Sequence, residues 1–273
     1  MTVLRVLAYN LNLGGTDRVD IICSVLEHVD ADVIALTEAD DESVVRALAE
    51  RLRMHHVWAR GSGARHIATL SRFPIAGWAV YNTPPLTQAV LETRISLHPI
   101  PSRAPNPAGE DIAVYNVHFL PYLLLPFELR RWQAVGRLLD IIRHRKPGPH
   151  LILGDLNAIG PGDRVLQRNN PARMKRVMML QFRLVFRLAI PRLLSAGYVD
   201  CYRRSQPTGD GFTWMTGNRT TRYDYILADP TFAATLRACR VVDDIAAVIS
   251  ASDHFPLLAE FDLGALRTSL RAP

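Results

Sequence analysis

The stretch "PHLILGDLNAIG", residues 149–160, is an apolar run that ends on two polar side chains, Asp155 and Asn157. A short apolar run bounded by proline and glycine is typical of a buried strand. Residues i and i+2 of a strand point to the same face, so the two polar groups project together where the strand meets its loop. The pattern predicts that a functional site lies at this strand end.

Other polar residues occupy comparable places, at or near the ends of apolar strands. They are Asn10, Glu38, His118, Asp224 and the pair Asp253-His254. Any one of them alone is more often a hydrogen-bonded structural residue of a strand. Together they supply the carboxylates, amides and imidazoles that a phosphate-cleaving site uses, and this combination favours a functional interpretation.

The residue types point to metal-assisted hydrolysis. Hard cations such as Mg²⁺ prefer oxygen ligands, and one or two carboxylates suffice when a substrate phosphate completes the shell. Glu38 is the best ligand candidate, with Asn10 beside it. His254 with Asp224 behind it forms an oriented base, because the carboxylate fixes the imidazole tautomer and stabilises the imidazolium.

The order of patterns predicts a mixed sheet with helices outside. Strands and helices alternate as far as about residue 52, and several strands follow as far as Phe119. The run 126–148 has helical periodicity, and Pro147-Gly148 ends it. A loop rich in proline spans 99–111.

Composition indicates one globular chain with a local excess of positive charge. The 273 residues carry a net charge of +6, and 121–210 alone holds sixteen Lys/Arg against six Asp/Glu. An anionic partner is the functional interpretation, and a genome-wide preference for arginine is the alternative. Three widely spaced cysteines and the absence of a visible secretion signal lead us to expect a reducing, cytoplasmic location.

The chain resembles the endonuclease/exonuclease/phosphatase superfamily, which includes pancreatic-type deoxyribonucleases, apurinic-site endonucleases and neutral sphingomyelinases. The resemblance covers about 3–261 and rests on seven ordered motifs: "AYNLN" (8–12), "LTEAD" (36–40), "SRFPI" (71–75), "YNVHF" (115–119), "GDLNA" (154–158), "GFTWMTGNRTTRYDYIL" (211–227) and "SDHFPLL" (252–258). It implies a four-layer α/β sandwich in which two mixed β-sheets pack face to face with helices outside. It also implies a Mg²⁺- or Mn²⁺-dependent phosphoesterase.

The resemblance assigns a role to each motif residue. Glu38 matches the metal-binding glutamate, and Asn10 matches the amide that helps to place metal and phosphate. Asp155 matches the aspartate that orients water or metal, and Asp253 matches a second metal contact. The remaining matches are Asn157 at the phosphoryl group, His118 near the leaving oxygen, and Asp224 with His254 as the base.

Some positions depart from the family pattern or stay open. Asn12 stands where several nucleases carry an acidic ligand, which leaves a second metal in doubt. Arg72 and Arg94 are candidate phosphate contacts, although an arginine on a strand face is more often a solvated surface residue. Trp214 is a candidate for stacking on a base, with core packing of its strand as the alternative.

The substrate is open between nucleic acid and a phospholipid or lipid-linked phosphodiester. Treated as one helix, 172–194 places Arg176, Leu180, Arg183 and Arg187 along one stripe beside a broad apolar surface. Peripheral membrane contact through this segment is one interpretation, and packing in the core is the other. No obligate protein partner is indicated.

The expected organisation is a catalytic domain over 1–264 followed by a short polar tail over 265–273. A family-like fold that binds membrane or nucleic acid without catalysis is the alternative class of function. The sequence argues against it, because every position that a one-metal mechanism needs holds a competent residue.

Overall fold

The computed structural model describes residues 2–86, 88–97, 111–145 and 147–271, which form two six-stranded β-sheets. The strands are β1 (Val3–Asn10), β2 (Val33–Thr37), β3 (His55–Ala59), β4 (Ile67–Ser71), β5 (Ile75–Tyr81), β6 (Val90–Ser96), β7 (Asp111–His118), β8 (His150–Asp155), β9 (Val199–Asp200), β10 (Asp224–Ala228), β11 (Leu236–Val241) and β12 (Leu257–Asp262). The first sheet has the order β11-β12-β1-β2-β4-β3, and the second has the order β5-β6-β7-β8-β10-β9.

Helices fill the connections between the strands. They are α1 (Val19–Val29), α2 (Glu42–Leu52), α3 (Leu125–Arg145), α4 (Ala172–Met179), α5 (Ala189–Ser195), α6 (Cys201–Ser205), α7 (Pro230–Ala233), α8 (Val248–Ala251) and α9 (Leu263–Arg271). Local chemistry sets their ends. The Asp41 carboxylate accepts a hydrogen bond from the Ser43 amide at the start of α2, and Arg53 ends that helix in a left-handed conformation.

The centre of each sheet is a parallel pair of strands. β1 and β2 are parallel in the first sheet, and β7 and β8 are parallel in the second. The carboxyl ends of both pairs lie at the same end of the molecule, where Asn10 of the first sheet donates a hydrogen bond to Asp155 of the second. Polar residues that follow these four strands therefore meet.

Strand β1 shows why the central strands are apolar on both faces. Leu4, Val6 and Ala8 point into the core between the sheets, and Leu7 and Tyr9 point toward the helices. All five side chains are buried. The sequence of a strand that is covered on both faces is a continuous apolar run, without the alternation of apolar and polar residues seen in half-exposed strands.

Two helical layers enclose the two sheets. Helices α1 and α2 pack on the outer face of the first sheet through residues such as Leu26 and Leu48. Helices α3 and α5 cover the second sheet through Leu138 and Leu193. The order helix, sheet, sheet, helix confirms the predicted four-layer α/β sandwich.

Cys23, Cys201 and Cys239 are free and buried. Among the described helices, none is both long enough and apolar enough to cross a bilayer.

The segment 172–194 is not the single helix that its periodicity predicts. Helix α4 ends at Met179, and Phe182 and Arg183 take positive φ angles of 54° and 60° before α5 begins. The Gln181 side chain donates to the Leu123 carbonyl, which fixes the turn against the rest of the molecule. The predicted stripe is therefore broken, and Arg187 instead turns inward.

The chain after residue 264 also differs from its prediction as a polar tail. Leu263–Arg271 form α9, and Leu263 and Leu266 pack into the core beside the first sheet. These two apolar positions, three residues apart, give the segment a helical face to bury. Residues 99–110 of the predicted loop lie outside the described residues.

Candidate active site

The strand ends bring the predicted polar residues together at one end of the sandwich. Asn10, His118 and Asp155 are the last residues of β1, β7 and β8, and Glu38 follows β2 directly. Asp224 begins β10, which runs antiparallel to β8, and pairs directly opposite Asp155.

Asn10 joins the two sheets within the site. Its amide nitrogen Nδ2 lies 3.0 Å from Asp155 Oδ2 and 3.4 Å from Glu38 Oε1. Its oxygen Oδ1 accepts a hydrogen bond from the Asn12 amide at 2.8 Å. The nitrogen of Asn10 therefore faces the two carboxylates, and one lone pair of its oxygen is used within the loop.

Glu38 and Asn157 both adopt left-handed backbone conformations, with φ of 48° and 47°. Such angles are unfavourable for residues other than glycine, and they cluster at functional sites where the surrounding structure enforces them. At Asn157, the main-chain amide donates to Asp155 Oδ1 at 2.9 Å, and the side chain donates to the Phe119 carbonyl at 3.0 Å. The sharp turn after β8 thus keeps Asn157 close to Asp155.

The glycine before Asp155 is required by a close approach of two strands. Gly154 has φ of 130°, and a Cβ atom there would lie 2.1 Å from the Val117 carbonyl oxygen of β7. Only glycine allows β8 to pass β7 at this distance. Gly154 therefore helps to set the position of Asp155.

His254 and Asp224 form the predicted pair. The distance from His254 Nδ1 to Asp224 Oδ2 is 2.8 Å, and both residues are buried. Burial alone would lower the pKa of His254, but the carboxylates of Asp224, Asp155 and Asp253 outweigh it and raise the pKa above its ordinary value. The hydrogen bond directs the other ring nitrogen, Nε2, toward Asp155.

Asp155 is the centre of the cluster. Its Oδ2 lies 3.8 Å from His118 Nε2 and 3.9 Å from His254 Nε2, in addition to its hydrogen bond with Asn10. Burial, reinforced by the neighbouring Asp224 carboxylate, raises the pKa of Asp155. A positive charge placed next to Asp155 would stabilise the ionised carboxylate and lower this pKa.

His118 is fully buried and uncharged at neutral pH. Burial, followed by the nearby cations His254 and Arg65, lowers the pKa of His118 to about 3. A neutral imidazole at this position offers a hydrogen bond without a charge.

A cavity of about 260 Å³ opens onto the cluster. Its lining includes the predicted Glu38, His118, Asp155, Asn157, Trp214, Asp253 and His254. Trp214 donates its indole N–H to Asp253 Oδ2 at 3.1 Å, and its ring packs against Tyr223 with centroids 5.4 Å apart. One half-buried aromatic face therefore borders the same cavity as the carboxylates.

The structure does not bring the two candidate arginines to this cavity. Arg72 follows β4 at the opposite end of the first sheet, where it pairs with Asp30 and Asp32. Arg94 is exposed on β6, opposite Ala113, far along the strand from the end that carries His118. Both match the alternative interpretation, in which they are surface residues.

Several residues that the sequence prediction did not include hold the site in place. Ser252 accepts a hydrogen bond from the His254 amide and donates one to the Asn10 carbonyl, so it joins two predicted residues. Thr213 accepts hydrogen bonds from the amides of Tyr223 and Asp224. Their only sequence signal is membership of the motifs at 252–258 and 211–227.

Arg65 is a further site residue that the sequence analysis did not predict. It lines the cavity, lies 3.5 Å from Glu38 Oε2 and pairs with Asp40. The residue stands in the loop before β4, and only the pairing of β4 with β2 brings it to Glu38. No local pattern in the sequence indicates this contact.

The donor set fits a hard divalent cation. Asp155, Asp224 and His254 offer ligand atoms that all lie within 4.8 Å of one another. Glu38 adds a carboxylate on the far side of the Asn10 amide, and the buried Asp224 Oδ1 has no hydrogen-bond partner among the described residues. Buried carboxylate oxygens of this kind are the ligands that Mg²⁺ and Mn²⁺ prefer.

A two-sheet sandwich with carboxylates, amides and imidazoles at the strand ends defines the class of α/β-sandwich phosphoesterases. Residues 7–254 match the family described as the Endonuclease/Exonuclease/phosphatase family, and the chain belongs to this family. The family resemblance predicted from the sequence is thereby confirmed.

Known proteins show how far the similarity extends. Exodeoxyribonuclease III of Haemophilus influenzae is 33% identical over 132 residues, which are 43% of this chain and 48% of that protein. The chain thus matches about half the length of this curated relative.

Solved structures share the fold. A 3′ phosphatase from Neisseria, bound to a product DNA hairpin, has a TM-score of 0.67 and 20% identity, covering 95% of this chain and 99% of that chain. An AP endonuclease from Archaeoglobus fulgidus has a TM-score of 0.69 and 19% identity, covering 95% and 100%. At these identities the similarity shows the fold.

Proposed function

We propose that this protein is a divalent-metal-dependent hydrolase that cleaves phosphodiesters of nucleic acid with water as the nucleophile. The observation that carries the proposal is the His254–Asp224 pair, which faces Asp155 at the cavity that Glu38 also lines. An oriented base, buried carboxylates and a small cleft are what phosphoester hydrolysis requires.

In this proposal, His254 takes the proton from the attacking water. Asp224 holds Nδ1 of the imidazole at 2.8 Å, so Nε2 is the nitrogen that faces the reacting atoms. Asp155 lies next to Nε2 and orients the water. An oriented general base contributes about a hundred- to ten-thousand-fold in rate.

Asn157 and His118 act on the phosphoryl group and on the leaving oxygen. Asn157 lines the cavity beside Asp155, and the turn after β8 fixes its position. His118 is neutral because of its low pKa, so it binds the leaving oxygen by a hydrogen bond rather than by charge. Both groups are in place before substrate arrives, which is how preorganised sites stabilise developing charge.

Glu38 and Asp155 are the proposed metal ligands, with Asp253 as a further contact across the cavity. Asp224 and His254 lie close enough to Asp155 to share a cation, but the proposal assigns both to the base. When bound, a divalent cation neutralises charge on the phosphoryl group and offsets the carboxylates that raise the pKa of His254. Asn10 keeps the two principal carboxylates in position.

Nucleic acid is the proposed substrate for three reasons. The curated relative is named as an exodeoxyribonuclease, and one structural relative was solved with a DNA hairpin. The chain carries a net charge of +6, which favours a polyanion. The Trp214 ring beside the cavity offers a surface on which a base can stack.

A lipid-linked phosphodiester is the second candidate, and the apolar rim of the cavity favours it. Pro121, Tyr122 and Met174 line the cavity together with the polar cluster. Tyr122 is 40% exposed, and such a rim suits an apolar group attached to the phosphate.

A side-by-side activity panel tests the proposal. The substrates are duplex DNA with an abasic site, DNA with a 3′ phosphate, plasmid DNA, RNA, sphingomyelin and bis-p-nitrophenyl phosphate, each with Mg²⁺, with Mn²⁺ and with EDTA. We expect metal-dependent cleavage of a DNA substrate by the wild type and its loss in Asp155→Ala. Cleavage of sphingomyelin alone would select the second candidate. Metal binding without hydrolysis of any substrate would favour a non-catalytic module.

A further inference from the structure

One stretch of the surface combines unpaired cations with exposed apolar side chains. The sequence contains no Asp or Glu between residues 164 and 199. The cationic side chains exposed between 168 and 183 are Arg168, Arg173, Lys175, Arg176 and Arg183. Within the described part of the chain, none of them has an acidic side chain at ion-pair distance, whereas most arginines of the first sheet and its helices do.

The apolar residues of this surface are unusually open to solvent. Met179 is 63% exposed, Leu180 is 80%, Phe182 is 89% and Leu184 is 56%. Four large apolar side chains are thus exposed within six residues, and a concentration of exposed apolar surface marks interaction sites on folded proteins.

The turn that presents these side chains is fixed in place. Met178 is buried against Leu123 and Tyr223, and the Gln181 side chain donates to the carbonyls of Leu123 and Leu184. The exposed side chains of Met179, Leu180, Phe182 and Leu184, called the apolar tips below, therefore project from a turn that is held in place. Met174, at the start of the same helix α4, lines the catalytic cavity, so the surface borders the catalytic mouth.

A second cavity, of about 370 Å³, lies beneath the apolar tips. It is lined by Gln167, Arg168, Lys175, Met178, Met179 and Arg183. Three cations converge there on a space with an apolar wall. This combination matches the phosphate of a lipid headgroup at the boundary with its acyl chains.

We propose that the surface formed by residues 168–184 docks on an anionic membrane. Arg168, Lys175 and Arg183 bind headgroup phosphates, and Leu180 and Phe182 enter the interface between headgroups and acyl chains. DNA phosphates would use the cations but would leave the apolar tips in water, so the apolar side chains favour a membrane. Docking requires no turnover and holds for either substrate of the proposed function.

Vesicle co-sedimentation in EDTA at about 0.1 M salt, where the Debye length is about 10 Å, tests the proposal. The vesicles are phosphatidylcholine alone and phosphatidylcholine mixed with phosphatidylglycerol. The charge variant is Arg168→Glu/Lys175→Glu/Arg183→Glu, and the apolar variant is Leu180→Ser/Phe182→Ser. The matched control, Arg53→Glu/Arg143→Glu/Arg204→Glu, makes the same change of charge at exposed positions elsewhere.

We expect the wild type to bind anionic vesicles and not neutral ones. The charge variant should lower the partition coefficient by about a hundredfold, since each cation near an anionic surface contributes roughly fivefold. The apolar variant should lower it by at least about tenfold, and the control should stay within about twofold of the wild type. Unchanged thermal unfolding and unchanged hydrolysis of a soluble phosphodiester verify that the variants are folded.

Several outcomes would overturn the docking proposal. Absence of binding by the wild type, equal binding to neutral vesicles, or an equal loss in the control each contradict it. If the charge variant loses affinity for duplex DNA while the apolar variant binds vesicles like the wild type, the surface is a nucleic-acid contact instead. If inorganic phosphate releases the protein from the vesicles and the apolar variant binds them as the wild type does, the surface is a site for free phosphate and not for a membrane.

Discussion

The hydrogen bond between Asp224 and His254 has the clearest chemical consequence at the scale of single residues. Asp224→Asn keeps the size of the side chain but can donate toward Nδ1, which selects the wrong imidazole tautomer. We expect the rate of phosphodiester hydrolysis to fall by about a hundred- to ten-thousand-fold. The measurement is the steady-state rate at saturating Mg²⁺, with Asp20→Asn as a matched control on an aspartate that is 92% exposed. A rate within a few-fold of the wild type would remove Asp224 from the mechanism.

His118 gives a prediction about stability and pH. The unfolded chain binds a proton at this histidine below about pH 6.5, whereas the folded chain does not until about pH 3. Because the unfolded state binds more protons in this window, the contribution of His118 to stability falls as the pH falls. The wild type should lose stability relative to His118→Gln by about 1.4 kcal/mol per pH unit below 6.5.

Urea denaturation in EDTA between pH 5 and pH 7 measures this difference. The same substitution at the exposed His55 is the matched control. A free-energy difference between wild type and His118→Gln that does not change with pH would show that the pKa of His118 is the same in the folded and unfolded chains, which contradicts the effect of burial.

Many site residues could be predicted from the sequence, because their residue type and their place near a strand end are visible in a short stretch of it. The spacing of two residues predicts that Asp155 and Asn157 share a strand face. In the structure β8 ends at Asp155, and the left-handed turn at Asn157 keeps the two side chains together instead. Arg65 and Ser252 carry no such signal, since their roles depend on contacts with Glu38 and Asn10 that only the folded chain creates.

Helix α3 shows how an element outside the site holds the loops that surround it. Its buried Glu128 and Arg131 pair at 2.8 Å, and Glu128 also accepts hydrogen bonds from the amides of Leu188 and Ala189 at the start of α5. Arg131 donates to the carbonyls of Leu120 and Tyr122, in the loop after His118. One ion pair therefore ties α3 to the start of α5 and to the loop after His118, whose Pro121 and Tyr122 line the cavity.

Glu128→Ala should destabilise the protein by about 3 to 5 kcal/mol, because it leaves the Arg131 charge buried without its partner. The free energy of unfolding in urea measures this change. Glu50→Ala, an exposed position on α2, should change stability by less than about 0.5 kcal/mol. A loss of under 1 kcal/mol for Glu128→Ala would contradict the proposed role of the pair.

The same elements show where a prediction from periodicity fails. Helix α2 forms because its apolar stripe and its Asp41 cap favour the same segment. The segment 172–194 has a comparable apolar-basic repeat but breaks after Met179, since Gln181 and the buried Met178 anchor a turn. Tertiary contacts outweigh helix propensity in such a case.

At the scale of the whole molecule, the site exists because two sheets present their strand ends at one end of the sandwich. Asn10 and Glu38 come from the first sheet, and His118, Asp155 and Asp224 come from the second. Deep in the sandwich, the buried Asn116 side chain of β7 donates to the Leu36 and Ala68 carbonyls of the first sheet, which ties the sheets together behind the site. Neither sheet alone contains the proposed machinery.

The order of motifs in the sequence was enough to predict the four-layer sandwich and the set of strand-end residues. The motifs could not show which charged side chains reach the cavity. Arg72 and Arg94 illustrate this, because their charge suggested phosphate contacts and only the register of β4 and β6 shows that both lie away from the cavity.

The most direct test of the central claim is the rate of phosphodiester hydrolysis as a function of added Mg²⁺, measured for the wild type, Glu38→Gln and the exposed control Glu50→Gln. We predict no activity in EDTA, a saturable gain with Mg²⁺ for the wild type and the control, and a large loss of activity at every Mg²⁺ concentration for Glu38→Gln. Hydrolysis that persists in EDTA, or a Glu38→Gln curve that follows the wild type, would contradict the claim that these strand ends form a metal-dependent phosphoesterase site.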